Sequence, residues 1–217
     1  MSLLSAEDPE ELAPGLILHR GWFDGAAQDA LVNDLREIIR KAPLFTPVMP
    51  KSGTPFSVRM TNCGSLGWVS DIRGYRYQPQ HPDTGAPWPA MPATLTDTWD
   101  RLSGFPQPPE ACLLNWYEGK AKMGLHQDRD EQEFSAPVLS VSLGDTCLFR
   151  YGGVKRSDPT KSVKLESGDV LVIGGASRLC FHGVDRVMAG SSDLLPKGGR
   201  INLTLRRVTP SPHSRTP

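Results

Sequence analysis

Residues 113–128 read Leu-Leu-Asn-Trp-Tyr-Glu-Gly-Lys-Ala-Lys-Met-Gly-Leu-His-Gln-Asp and end in a His-x-Asp pair, His126 and Asp128. On an extended segment, side chains two positions apart point the same way, so this imidazole and this carboxylate can grip one metal ion. A third ligand is then required. His182 is the best candidate, because it sits in Ser-Arg-Leu-Cys-Phe-His-Gly after an apolar run at 169–173 and can arrive from another strand. Two histidines and one carboxylate on one face of a metal leave the opposite face open, the arrangement with which non-haem Fe(II) enzymes activate oxygen. With five histidines and twenty-four acidic residues in the chain, one His-x-Asp arises readily by accident, so the pair needs support from elsewhere.

Support comes from the last strand-like run, where Ile201, Leu203 and Leu205 alternate with Asn202, Thr204 and Arg206. Arg200, Asn202, Thr204 and Arg206 therefore share a face. Two arginines about 20 Å apart along a strand, each with a long side chain, can reach opposite ends of a short dianion such as a dicarboxylate. Without the metal triad, the same face reads better as the exposed polar side of an edge strand.

Two further segments carry charge or rings. Residues 66–77, Leu-Gly-Trp-Val-Ser-Asp-Ile-Arg-Gly-Tyr-Arg-Tyr, interleave Trp68, Tyr75 and Tyr77 with Arg73 and Arg76. An unstacked base and its phosphates call for this mixture, although a hairpin whose rings cover a sheet would give the same pattern. Between residues 150 and 164, Arg150, Lys155, Arg156, Lys161 and Lys164 face the single acid Asp158, while the net charge of the whole chain is +0. That loop suits phosphates, although composition alone slightly favours a solvated hairpin.

The elements that must position these groups are legible in outline. A chain of 217 residues with 38% hydrophobic content suits one domain, expected over residues 15–208. Residues 1–14, acidic and without periodicity, and 209–217 are expected to be disordered tails. Asp24 can cap a helix whose apolar residues are Ala27, Leu31, Leu35, Ile38 and Ile39, with Pro43 ending it. A second helix should start near Pro92 and end by Gly104, burying Leu95, Trp99 and Leu102. From there short strands are expected at 111–117, 138–143, 146–151, 162–166, 169–173, 179–183 and 201–208. The fold class is thus mainly β with flanking helices, a barrel or sandwich. A jelly roll would bring His126, Asp128, His182 and Arg200 together across a narrow mouth. Cys63, Cys112, Cys147 and Cys180 are scattered through apolar contexts, which favours buried free thiols. With no bilayer-length apolar run and no signal-peptide pattern, a cytoplasmic location without membrane contact is expected, as a monomer.

A longer ordered series of motifs sharpens this. It comprises Met-Thr-Asn-Cys-Gly at 60–64, Leu-Gly-Trp at 66–68, Ala-Pro-Trp-Pro-Ala-Met-Pro at 86–92, Asn-x-Tyr at 115–117 and His-Gln-Asp-Arg-Asp-Glu at 126–131. Val-Leu-Ser-Val-Ser-Leu-Gly at 138–144, Gly-Gly-Val-Lys-Arg at 152–156, Ser-Arg-Leu-x-x-His-Gly at 177–183 and Arg-x-Asn-Leu-Thr-x-Arg at 200–206 complete it. Taken together, these resemble the Fe(II)/2-oxoglutarate dioxygenases, specifically the AlkB family of nucleic-acid dealkylases, over about residues 15–208.

The resemblance implies a double-stranded β-helix (jelly-roll) core at about 111–208 and an N-terminal nucleotide-recognition lid at about 45–90. It implies Fe(II) on His126, Asp128 and His182, with 2-oxoglutarate and O2 as co-substrates. Arg200, Tyr117 and Asn202 would hold the distal carboxylate of 2-oxoglutarate, and Arg206 and Asn115 the carboxylate nearer the metal. Trp68 would stack on the damaged base, with Tyr75, Arg76 and Tyr77 nearby, Asp130 meeting the exocyclic amine and Arg156 contacting the substrate strand. The implied reaction removes methyl groups from bases of the 1-methyladenine and 3-methylcytosine type in single- or double-stranded DNA, and in RNA as a further substrate. It yields formaldehyde, succinate and CO2. Oxidation of a protein or a small molecule is the alternative. Glu131 would add negative potential or simply sit in a solvated acidic turn, and for Glu133 the solvated turn is the better reading. Trp116 and the Glu118-Gly119-Lys120 turn depart from the family pattern; alternation points Trp116 away from the cofactor side.

Overall fold

The structure, a computed structural model, describes residues 8–210. In chain order the elements are β1 (Glu10–Ala13), β2 (Leu16–His19), α1 (Gly25–Lys41), β3 (Arg59–Gly64), β4 (Gly67–Asp71), β5 (Gly74–Gln78), α2 (Ala93–Leu102) and β6 (Ala111–Tyr117). Then come β7 (Met123–His126), β8 (Val138–Gly144), β9 (Cys147–Tyr151), β10 (Lys161–Leu165), β11 (Val170–Ile173), β12 (His182–Val187) and β13 (Arg200–Arg206). Seven strands form one sheet in the order β1-β2-β11-β8-β13-β6-β3, and four form a second in the order β10-β9-β12-β7. These are the two halves of the jelly roll.

Period-two patterning sets the layers. Leu113 and Tyr117 from the large sheet meet Phe149 and Val184 from the small one in an inner core. Side chains on the opposite face of the large sheet, Leu114, Leu139, Val141, Leu203 and Leu205, pack under the helices with Leu31, Leu35, Leu95 and Trp99. Helix α1 begins where Asp24 accepts from the Ala27 N–H at 2.8 Å and stops before Pro43. Helix α2 starts after Pro92 and buries Leu95 and Trp99. All four cysteines are buried free thiols.

Two expectations, on the N-terminal tail and on the strand at 179–183, are corrected. The segment expected as an N-terminal tail contributes β1, whose Glu10 and Glu11 pair with Leu18 and Ile17. Its acidic side chains are tolerated because the strand is an edge, and Glu10 meets Arg20 at 3.1 Å. The remaining tail positions, 1–7 and 211–217, lie outside the described residues. Within the stretch expected as a lid, β3 pairs with β6 and joins the large sheet, while β4 and β5 stand apart as a two-stranded hairpin. The strand expected at 179–183 starts at His182 and runs to Val187, because residues 175–177 form a 3-10 turn that continues through a Cys180 N–H to Ser177 carbonyl bond. The polar face of β13 turns inward, as a clamp for a dianion requires: the strand lies between β8 and β6, and Arg200 is 1% exposed. Among the described residues, no helix is long and apolar enough to cross a membrane.

Candidate active site

His126 and His182 are direct cross-strand partners, on β7 and β12. Gly183 permits this closeness, since a side chain there would meet the Met123 carbonyl oxygen at 2.5 Å. Asp128 follows two residues after His126, beyond the end of β7. One ligand atom from each of the three lies within 4.8 Å of the others. The Nε2 atoms of His126 and His182 approach the Asp128 carboxylate at 3.7 and 3.9 Å. Ligand atoms on metal bonds of about 2 Å stand about 3–4 Å apart, so the spacing suits one central ion.

The protonation states fit as well. His126 Nδ1 lies 2.9 Å from the Gly124 carbonyl and His182 Nδ1 lies 3.1 Å from that of Cys180. With Nδ1–H donating to a carbonyl, the Nε2 lone pair of each ring is left for a metal. Burial, aided by the neighbouring His126, pulls the pKa of His182 down to about 4, so its ring is neutral at pH 7. At Asp128, burial pushes the carboxyl upward, but the surrounding cationic groups, Arg206 foremost, together outweigh it and hold the carboxyl well below the usual carboxylate range.

Around this cluster lies a buried chain of alternating charge. Arg206 meets Asp128 at 3.0 Å and Glu131 at 3.2 Å, and Arg178 meets Glu131 at 3.2 Å. The Tyr77 hydroxyl also donates to Glu131, tying β5 to the network. Glu131 is 5% exposed, which excludes the solvated turn as its place, and Glu133 is buried too, which corrects the expectation of a solvated turn there.

The cluster opens into a cavity of about 640 Å³. One wall is the polar face of β13 with its neighbours: Arg200, Asn202, Thr204 and Arg206, together with Asn115 and Tyr117 of β6. Arg200 donates to Ser142 Oγ at 2.8 Å, and Asn202 links Asn115, Ser140 and Thr204. Burial pushes the Tyr117 hydroxyl pKa up, so it is a neutral donor. At the mouth, Trp68 donates its indole N–H to Asp130 at 2.8 Å and stacks on Tyr75 with ring centroids 5.5 Å apart. Arg156, on the far rim, donates to the Leu125 carbonyl and lies over the Phe181 ring.

Of the candidate residues, only Arg76 fails to reach the cavity. It alternates with Tyr75 and Tyr77 along β5 and turns to the other face, where Asp71 holds it at 2.9 Å. Sequence reasoning also misses Arg178 and Gln127. Both fall inside motifs of the series above, but nothing in a lone arginine or glutamine announces a buried partner.

A model of the 2OG-Fe(II) oxygenase superfamily matches residues 15–206. An alpha-ketoglutarate-dependent dioxygenase AlkB homolog from Caulobacter vibrioides is 54% identical over 200 residues, covering 92% of this chain and 90% of the relative. The alpha-ketoglutarate-dependent dioxygenase AlkB of Escherichia coli is 44% identical over 203 residues, covering 92% and 93%. The chain belongs to the AlkB family of Fe(II)/2-oxoglutarate dioxygenases. Among solved structures, that of OsALKBH1 matches with a TM-score of 0.77 at 32% identity, covering 92% of this chain and 99% of that one.

An AlkB-family dioxygenase uses Fe(II), 2-oxoglutarate and O2, and the side chains present fit that set. The triad offers two imidazole nitrogens and a carboxylate. In the cavity wall, Arg200 Nε, Arg206 Nη1 and Asn115 Oδ1 are buried with no hydrogen-bond partner among the described residues. A buried polar atom left without a partner costs about 1–3 kcal/mol, and an anionic co-substrate accepts from the two unpaired guanidinium nitrogens.

Proposed function

We propose that the protein removes alkyl groups oxidatively from ring nitrogens of nucleobases in DNA, with 1-methyladenine and 3-methylcytosine as the lesion type and single strands preferred. The observation that carries this reading is the meeting, in one cavity, of a three-ligand cluster, two buried guanidinium groups that each keep one nitrogen without a partner among the described residues, and an aromatic wall. The chemistry supplied by bound iron is oxidation of the alkyl carbon by O2, coupled to conversion of 2-oxoglutarate to succinate and CO2, after which the hydroxylated group leaves as formaldehyde.

The chain's own side chains supply the rest. His126, Asp128 and His182 hold the metal. Arg200, with Tyr117 and Asn202, holds the distal carboxylate of 2-oxoglutarate, and Arg206 and Asn115 hold the nearer one. Trp68 stacks on the extruded base, and its π face favours a ring that N-methylation has made cationic. Asp130 accepts from the exocyclic amine, and Tyr75, Tyr77 and Arg156 line the path of the strand. A base that cannot pair also costs less to extrude, which selects damaged over intact bases. RNA bearing the same lesions presents the same edges and is a second substrate class.

The test incubates the protein with Fe(II), 2-oxoglutarate, O2 and a single-stranded oligonucleotide bearing 1-methyladenine or 3-methylcytosine, and reads the methyl mark by mass spectrometry. Loss of the mark with stoichiometric succinate is expected. Unchanged DNA from protein shown to bind metal and 2-oxoglutarate would reject the reading.

A further inference from the structure

The two segments that bear the histidines are tied to each other by side chains with no part in the chemistry above. Gln127, between the ligands of the His-x-Asp pair, donates to the Leu179 carbonyl at 2.6 Å and to the Val154 carbonyl at 3.3 Å. Arg178, four residues before His182, reaches back the other way. It donates to the carbonyl of Asp128 itself at 2.7 Å and to that of Ala136 at 2.8 Å, and it pairs with Glu131 at 3.2 Å. Each segment thus sends one side chain into the backbone of the other.

The strand ladder cannot do this work alone. Strand β7 pairs with β12 at only two positions, His182 with His126 and Val184 with Met123, with a register irregularity between them. Asp128 lies past the last residue of β7, so no ladder bond fixes it. What holds its backbone is the Arg178 guanidinium, which is almost wholly buried and has the Glu131 carboxylate as counter-ion.

We propose that Gln127 and Arg178 are positioning residues that set the separation of the His126–Asp128 segment from the His182 segment, and thereby the metal affinity of the cluster before any ion arrives. This rests on the reading of His126, Asp128 and His182 as the metal ligands. Ligands held at bonding distance in advance lose little on binding, whereas loosened ones must be gathered by the ion. Removing groups that orient ligands from behind costs about 10- to 100-fold in metal affinity.

The test titrates Mn(II), a redox-silent probe, into wild-type protein, Gln127→Leu, Arg178→Met and Arg178→Lys, following free Mn(II) by electron paramagnetic resonance, with thermal unfolding of each apoprotein in parallel. Gln127→Leu removes no charge and is the deciding variant should Arg178→Met fail to fold. We expect Gln127→Leu to weaken Mn(II) binding by about tenfold or more, with Arg178→Lys, whose ammonium reaches one carbonyl, retaining more affinity than Arg178→Met. Folded Gln127→Leu that binds Mn(II) as the wild type does, even with a lowered unfolding temperature, would reduce the cross-ties to general fold stability and overturn the inference. Wild-type protein that takes up no Mn(II) would instead remove the metal reading, and the inference with it.

Discussion

Trp68 and Asp130, sixty-two residues apart, are joined by a 2.8 Å hydrogen bond that sets the plane of the indole at the mouth of the cavity. The ring that offers a stacking face and the carboxylate that offers an acceptor are thus registered to each other before a base enters. Trp68→Ala is expected to raise KM for a methylated oligonucleotide about 5- to 150-fold, the equivalent of the ~1–3 kcal/mol a base–aromatic stack contributes. Binding of 2-oxoglutarate, measured separately by calorimetry, should not move. Equal loss of 2-oxoglutarate affinity would show that the ring holds up the fold rather than a base.

Arg200 makes a different prediction because its guanidinium is already half satisfied. Ser142 Oγ and the Asp145 carbonyl take two of its nitrogens, and Nε is the one left without a partner among the described residues. Arg200→Ala should weaken 2-oxoglutarate binding by about 10- to 150-fold, since a hydrogen bond to a charged group contributes ~1.5–3 kcal/mol. Arg200→Lys should recover only part of this, because one ammonium cannot reproduce the planar fork. Direct calorimetric titration of 2-oxoglutarate is the measurement, and unchanged affinity in Arg200→Ala would take the residue out of the co-substrate site.

How far the sequence speaks depends on the kind of interaction. The alternation of β13 identifies which side chains share a face with Arg200, and the motif series points to the family, because both are properties of local order along the chain. Helix α1 is legible for the same reason: Asp24 and Pro43 bracket it in the sequence. The β1 strand is not, since its pairing energy comes from β2 and its composition is that of an exposed edge. Nor is the burial of Glu131, whose two arginine partners lie forty-seven and seventy-five positions along the chain. Arg76 shows a further limit, since a segment read as binding a base and its phosphates groups it with Tyr75 and Tyr77, whereas the pleat of β5 turns it to the other face and onto Asp71.

Arg156 tests the interaction with a polyanion. It lies on the rim of the cavity, with its guanidinium over Phe181 and one nitrogen spent on the Leu125 carbonyl. Taking away one cation that neutralises a phosphate should lower the slope of log affinity against log salt by about 1, with weaker binding across all sequences. Fluorescence titrations of wild type and Arg156→Ala with a single-stranded oligonucleotide, at several salt concentrations, give both slopes directly. Parallel lines would place Arg156 outside the path of the strand.

Glu131 carries the largest expected effect on stability. Its carboxylate bridges Arg206 and Arg178, and it accepts from the Tyr77 hydroxyl as well. Removing one partner of a buried ionic network leaves charge uncompensated, which typically costs about 3–5 kcal/mol. For a domain of this size that corresponds to a fall in Tm of about 6–20 °C. Glu131→Gln keeps the shape and can still accept from one guanidinium, so it should lose less than Glu131→Ala. Surface substitutions usually stay within about 0.5 kcal/mol, so thermal unfolding of the two variants separates a buried bridge from a solvated turn. A Tm for Glu131→Ala within about 2 °C of wild type would mean that Asp128 and the solvent already satisfy both arginines.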